Sequence, residues 1–260
     1  MKNIFMIAII AIITLLGFKM NISMAEKRTV KLLEYVPLRY PEQYNGCRYY
    51  DVQKRIVKVA GYNGNGSGMI VSDNYLVTSL HLDQLTLHSA KFTIYSALTG
   101  KKHSATFIES DDLNDVSLLK LDKPIDIEFN EPLKFKEVVA GHRVYSMGYY
   151  AQYLDRFKQK ALPEPFCSPG KITGDYSMPF WHSTSFGWYG LSGGAIFDVE
   201  HGEVVGLNRG LIPKGETRKG NEIYVEDFDS KHTSPVAISN LLKKHNIYHL
   251  FNGVEIKAPS

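Results

Sequence analysis

The chain has 260 residues, 44% of them hydrophobic and 22% charged. That is the make-up of a folded globular protein with a real core, and it excludes a disordered or fibrous chain. Its 30 basic residues face 27 acidic ones, and without residues 1–25, which hold Lys2 and Lys19 and no acid, the balance is 28 to 27. No basic domain remains, so nucleic acid is not an expected partner.

Residues 1–25 read as an export signal. Lys2 supplies a positive start, Ile4 to Phe18 is almost wholly apolar, and Ser23 and Ala25 offer small residues for cleavage before Glu26. The apolar run of about 15 residues falls short of the roughly 20 that a spanning helix needs. The mature protein is therefore expected to be secreted or periplasmic, with no stable membrane span after signal removal; an uncleaved segment would leave it anchored. Residues 26–54 contain Tyr and Pro without a clean period and read as an N-terminal arm or a propeptide. Cys47 and Cys167 are the two cysteines. Their sequence separation leaves both a disulfide and a pair of buried thiols open. No clustered Cys/His spacing occurs, so no metal site is expected.

The pattern changes at Arg55, where a single domain over residues 55–250 is expected, followed by a tail at 251–260. Arg55–Val59, Gly68–Ser72 and Tyr75–Thr78 are short β-branched runs, with Asn63–Gly68 and Ser72–Asn74 as the turns between them. Further strands are expected at Lys91–Tyr95, Ser104–Ile108, Val116–Leu121, His142–Met147, Ile172–Thr173, Ala195–Phe197 and Val204–Leu207. Many short strands with Gly/Asn/Asp turns give an all-β fold, an antiparallel barrel or sandwich. Val236 to His245 carries apolar residues at helical spacing behind Ser234-Pro235, a cap and a first-turn proline, and predicts one C-terminal helix.

Three places on this chain carry chemistry. His81 follows the strand Tyr75–Thr78, where its side chain can face a cleft. Asp115 stands just before the buried run Val116–Leu121, placed to accept a ring N–H and hold the imidazole in one tautomer. Ser192 lies in Gly190-Leu191-Ser192-Gly193-Gly194, where glycines allow a sharp bend. There Ser192 stands exposed as a nucleophile, and the Gly190 and Ser192 amides can face a developing oxyanion. The order His81, Asp115, Ser192 is one of the known chain orders for a nucleophile–base–orienter set. Asp111 and Asp112 read as solvated loop acids.

These residues also carry a resemblance. Gly66-Ser67-Gly68-Met69-Ile70-Val71-Ser72 with Tyr75 to His81, Asn114 to Leu121, Gly190 to Ala195 and Glu203 to Asn208 resemble, in order, the motifs of trypsin-like serine proteases. In style they are similar to the bacterial HtrA-type and glutamyl-endopeptidase-type enzymes. The resemblance implies two antiparallel β-barrels of the chymotrypsin type with a cleft between them. It implies peptide-bond hydrolysis through an acyl-enzyme, with Ser192 as nucleophile, His81 as base then acid, Asp115 as orienter, and the amides of Gly190 and Ser192 as the oxyanion hole. Protein or peptide substrates follow, and no cofactor and no metal. A glycine-rich peptide-binding module after the terminal helix is not expected.

Leu191 departs from the family pattern at the position before the serine, where trypsin carries an Asp, so activation through an ion pair from a new N-terminus is not expected. By spacing, the substrate pocket is lined by Phe186 before the nucleophile and by Asn208, Arg209 and Leu211 after it. No acid lies there, which argues against a Lys/Arg preference. Trp181 and Trp188 read as aromatic core, and Tyr149–Tyr153 either as a loop that covers the cleft or as a plain surface loop. The rival reading is a catalytically inactive protease-fold module that binds peptides or proteins; a further alternative is action on small esters.

Overall fold

Consecutive apolar residues in the runs after Arg55 give strands buried on both faces, one face for each side of a barrel wall. The computed structural model describes residues 50–61, 64–82, 91–129, 131–149, 165–174, 180–214, 217–219, 222–224 and 227–256. The expected export signal, most of the N-terminal arm, Cys47 and Tyr150–Tyr153 lie outside the described residues.

A short helix α1 (Tyr50–Arg55) leads into six strands: β1 (Ile56–Ala60), β2 (Asn65–Ser72), β3 (Tyr75–Thr78), β4 (Lys91–Tyr95), β5 (Lys102–Asp111) and β6 (Val116–Leu121). They form a closed barrel in the order β1-β2-β3-β6-β5-β4, sealed where Lys58 faces Tyr95. Alternation along each strand decides its two faces. Val57, Ile70, Leu76, Ile94 and Leu119 share one core cluster, while their neighbours Ile56, Met69, Val77 and Leu118 join another that includes Phe197 and Leu207. The first barrel is thus fused to the second half through a continuous apolar layer.

The second half contains β7 (Lys134–Phe135), β8 (Arg143–Gly148), β9 (Phe166–Lys171), β10 (Phe180–Phe186), β11 (Ala195–Asp198), β12 (Val204–Lys214) and β15 (Asp227–Thr233). Antiparallel pairing runs β9-β8-β11-β12-β15-β10, and an isolated Ile172↔Ser183 bridge brings the two ends of that path together. This is the second antiparallel barrel, with Val144, Ile172, Ile196 and Val205 clustered and Trp181 packed against them. The short strands β13 (Thr217–Lys219) and β14 (Glu222–Tyr224) pair with each other. Helix α2 (Pro235–Lys244) and the hairpin β16 (His249–Phe251) and β17 (Val254–Ile256) follow. Among the described residues no helix is long and apolar enough to cross a membrane.

Helix α2 begins as the sequence predicts, with Ser234 Oγ accepting the Val236 amide at 3.1 Å and Pro235 in the first turn. It buries Ile238, Leu241 and Leu242, each worth about 1.5–3 kcal/mol of burial. Its C-terminal end meets β5, where Glu109 accepts from Lys244 and from His245 Nε2.

The strands the sequence places are found with small shifts, and two expectations change. Arg55 closes α1 rather than opening β1, its guanidinium donating to the carbonyls of Ile70 and Glu131. Ile172–Thr173 is not a strand of its own; β9 ends at Lys171 and Ile172 keeps only the bridge to Ser183. Cys167, buried at the start of β9, is disulfide-bonded.

One buried base makes stability depend on pH. His232 on β15 is fully buried, and neither ring nitrogen has a hydrogen-bond partner among the described residues. Burial first, then the charge of nearby His182, lowers its pKa from 6.5 to about 3. Between those values the unfolded chain binds a proton that the folded one does not, so stability is intact above 6.5 and lost as pH falls toward 3. At about pH 5 the loss from this group is about 2 kcal/mol relative to neutral pH. His232→Met should remove that part of the slope when urea midpoints are compared at the two pH values; an unchanged slope would contradict the account.

Candidate active site

His81 sits in the single 3-10 turn Leu80–Leu82 that follows β3. The turn is tied to the β5–β6 loop, with the Leu80 amide donating to Asp115 O at 3.3 Å and the His81 amide to Asp115 Oδ1 at 2.8 Å. His81 Nδ1 donates to Asp115 Oδ2, also at 2.8 Å. Backbone and ring of one histidine thus bind both oxygens of one carboxylate, which orients the ring and leaves Nε2 on the far side.

Asp115 reaches this position in a left-handed conformation, φ 53°, that few non-glycine residues adopt. The loop that imposes it is over-determined. Asp111 accepts from the Asn114 amide at 3.2 Å and from Asn114 Nδ2 at 2.7 Å, and Thr233 of the second barrel donates to Asn114 O at 2.7 Å. Burial pushes the Asp115 carboxyl up, but the bonds and charge of His81 and the bond from Arg209 outweigh it and hold the group below the usual carboxylate range. Arg209 Nε is 2.9 Å from Asp115 Oδ2.

The serine loop is clamped between the barrels. Ser67 of β2 uses its amide to bind Ser192 O at 2.7 Å, donates its hydroxyl to Gly190 O at 2.7 Å, and accepts the Tyr149 amide on the same hydroxyl at 2.7 Å. From the other side, the Gly193 amide donates to Asn208 O and the Asn208 amide to Gly194 O, both at 2.7 Å. Gly190 and Gly193 have φ 93° and 84°, the bend the glycines were read to allow. Among the described residues neither the Gly190 nor the Ser192 amide has an acceptor, so both donors are available. The Ser192 hydroxyl donates to Arg209 O at 3.3 Å; no hydrogen bond joins it to His81.

A cleft of about 310 Å³ opens beside these groups, lined by His81, Asp112, Asp115, Arg209, Gly210, Leu211 and Lys231. Of the four residues expected to line the pocket, Arg209 and Leu211 are here. Phe186 instead stacks on Trp188, with ring centroids 5.8 Å apart and planes 11° apart. Asn208 is buried behind the wall, where its Oδ1 accepts from Ser146 and its Nδ2 donates to Met147 O. Lys231 was missed. It lies in Asp227–Thr233, whose mixed polar composition gives no strand signal, and only the pairing of β15 with β12 brings it to the cleft. Ser67 lay inside a recognised motif, but nothing in the sequence signals its clamp on the serine loop.

Elsewhere, Asp198, Glu200 and His201 bring potential ligand atoms within 4.8 Å of one another. Asp198 already accepts the amides of His201 and Glu203, with Lys136 Nζ 3.8 Å away, so the group reads as a closed hairpin turn.

The trypsin-like peptidase domain family matches residues 66–207. No curated protein sequence matches the chain. Among solved structures, the Rv3671c protease in an inactive form is similar at 19% identity and TM-score 0.50, covering 74% of this chain and 89% of that one. The MamO protease domain from Magnetospirillum magneticum is similar at 19% identity and TM-score 0.53, covering 75% and 98%. A serine-to-alanine mutant of Rv3671c from M. tuberculosis, also an inactive form, is similar at 18% identity and TM-score 0.54, covering 80% and 96%. At such identities the likeness to these structures speaks for the fold alone.

Proposed function

The chain belongs to the trypsin-like peptidase domain family, and from that premise we propose that it is a serine endopeptidase acting through Ser192, His81 and Asp115. The observation that carries the reading is the pair of hydrogen bonds from His81 to Asp115, through its amide and through Nδ1, at 2.8 Å each. With Nδ1–H so engaged, Nε2 is the acceptor the chemistry needs.

Ser192 leaves the Arg209 carbonyl by a χ1 rotation and gives its proton to His81 Nε2 as Oγ attacks the scissile carbonyl. Catalytic hydrogen bonds are commonly loose or misaligned before substrate binds. The carbonyl oxygen gains charge and is met by the Gly190 and Ser192 amides. His81, now protonated and held by Asp115, gives the proton to the leaving amine. The acyl-enzyme then passes to water by the same steps in reverse order. Export rests on residues 1–25, and protein or peptide substrates on the fold and the open cleft.

One observation favours the inactive binding module instead: the Ser192 hydroxyl is bonded to a backbone carbonyl rather than to His81. Incubating the mature protein with a mixed peptide library and reading new termini by mass spectrometry separates the two. New termini produced by the wild type and absent with Ser192→Ala support the peptidase; retention of peptides with no new termini would overturn it. A parallel small-ester assay identifies an esterase.

A further inference from the structure

Arg209 touches both halves of the proposed machinery, Ser192 through its carbonyl and Asp115 through its side chain. In the β12–β15 ladder Asn208 faces His232 and Gly210 faces Lys231, and the register shifts between them. Arg209 is therefore the unpaired residue of a β-bulge, a device that turns a side chain out of the ladder. Its backbone carbonyl is free to accept from Ser192 Oγ at 3.3 Å, and its side chain swings across to Asp115 Oδ2 at 2.9 Å. The guanidinium carbon lies over the Phe180 ring, 3.4 Å from its centroid, so the ring backs the group that donates through Nε. A solvated pocket cation would show none of these constraints.

We propose that Arg209 is a positioning residue of the site: it holds the Asp115 carboxylate in place for His81 and shares its negative charge, so that the imidazolium is less strongly stabilised than it would be beside Asp115 alone. The inference rests on the proposed function. A neutral hydroxyl or amide in the same place would orient the carboxylate without drawing on its charge; the guanidinium does both. The charged and titratable groups facing this point are His81 from the turn after β3, Asp112 from the β5–β6 loop, Arg209 itself from β12 and Lys231 from β15. Lys231 Nζ lies 4.7 Å from the centre of the same Phe180 ring. The proposal places the operating range of the enzyme at lower pH than a neutral partner for Asp115 would allow.

Three variants test it. Arg209→Met keeps an unbranched apolar side chain and loses both donor and charge; Arg209→Gln keeps a donor and loses the charge; Arg209→Lys keeps the charge without the planar fork. With a neutral peptide substrate, the Met variant should lose about 10-fold in kcat with little change in KM. The acid limb of kcat/KM should move up by about one pH unit in both the Met and Gln variants and return toward the wild type in the Lys variant. Urea midpoints establish that each variant is folded, and the Gln variant carries the test if the Met variant does not fold. An unmoved acid limb, or a rise in KM alone, would overturn the proposal and make Arg209 a packing or substrate-contact residue. An NMR titration of the His81 ring, assigned by its disappearance in His81→Gln, gives the same readout without turnover. A midpoint that rises in Arg209→Gln while no peptide is cut would uphold the Arg209–Asp115–His81 coupling and discard the peptidase reading. A midpoint that stays put while peptides are cut would do the reverse.

Discussion

Asp115→Asn is expected to lower kcat/KM on a peptide substrate by about 10⁴-fold while leaving the fold in place. Three donors converge on this carboxylate: the His81 amide on Oδ1, and His81 Nδ1–H with Arg209 Nε–H on Oδ2. An amide side chain offers one acceptor oxygen and one NH2. If its oxygen takes the Oδ2 position, the NH2 faces the His81 amide and pushes the turn away. If the NH2 takes the Oδ2 position, the ring must turn Nδ1 into an acceptor and carry its proton on Nε2, where it cannot take the proton of Ser192. In the first case the base is displaced, and in the second it carries a proton where it must accept one. Asn tolerates the left-handed backbone that Asp115 adopts as well as Asp does, so the substitution isolates the chemistry from the loop strain. The mispaired donors should cost about 1–3 kcal/mol of stability. Steady-state kinetics beside urea unfolding checks both numbers, and a drop in activity under about 10-fold would contradict the role given to Asp115.

Gly193→Ala should cost about 4 kcal/mol of stability and remove activity with it. A Cβ there would lie 2.0 Å from Ser67 O and 2.3 Å from Thr78 Oγ1, at φ 84°. Neither obstacle can yield easily. Thr78 Oγ1 donates to that same Ser67 carbonyl at 2.6 Å, and the Ser67 amide holds Ser192 O. To make room, β2 and the serine loop must part, which breaks the Ser67 clamp and shifts the Gly190 and Ser192 amides from where an oxyanion would form. Gly100→Ala is the control, since Gly100 also has a positive φ, 62°, but open space around it. That variant should cost only the backbone strain of about 1 kcal/mol. Equal losses for the two, read from urea midpoints, would show that the close approach at Gly193 is not what the fold depends on.

How far the sequence carried this site depended on whether a residue's role is local. The barrel strands were legible because Ile56–Val59, Tyr75–Thr78 and Val116–Leu121 are apolar in runs that only a buried strand accommodates. His81 and Asp115 were legible for a similar reason, each lying at the edge of such a run, and the structure brings them together. Helix α2 announced itself through Ser234-Pro235. By contrast, Phe180–Phe186 (FWHSTSF) and Asp227–Thr233 (DFDSKHT) are largely polar with no two-residue apolar period, and their partnership in the second barrel is fixed by long-range pairing that no local pattern encodes. The bulge at Arg209 is a property of two strands at once, so a residue read from sequence as a pocket-lining charge turned out to be bound to Asp115 and Phe180. Asn208 shows the same limit: its side chain faces inward because the ladder fixes its parity, whereas spacing alone had set it in the pocket wall.

The central claim is that Ser192 is a nucleophile activated by its surroundings, and covalent labelling tests it most directly. The mature protein and its Ser192→Ala variant would be treated with a fluorophosphonate and weighed intact, with urea unfolding to show that both are folded. The account predicts a single adduct on the wild type and none on the variant. A folded wild type that takes up no label, or a variant that labels equally, would contradict it.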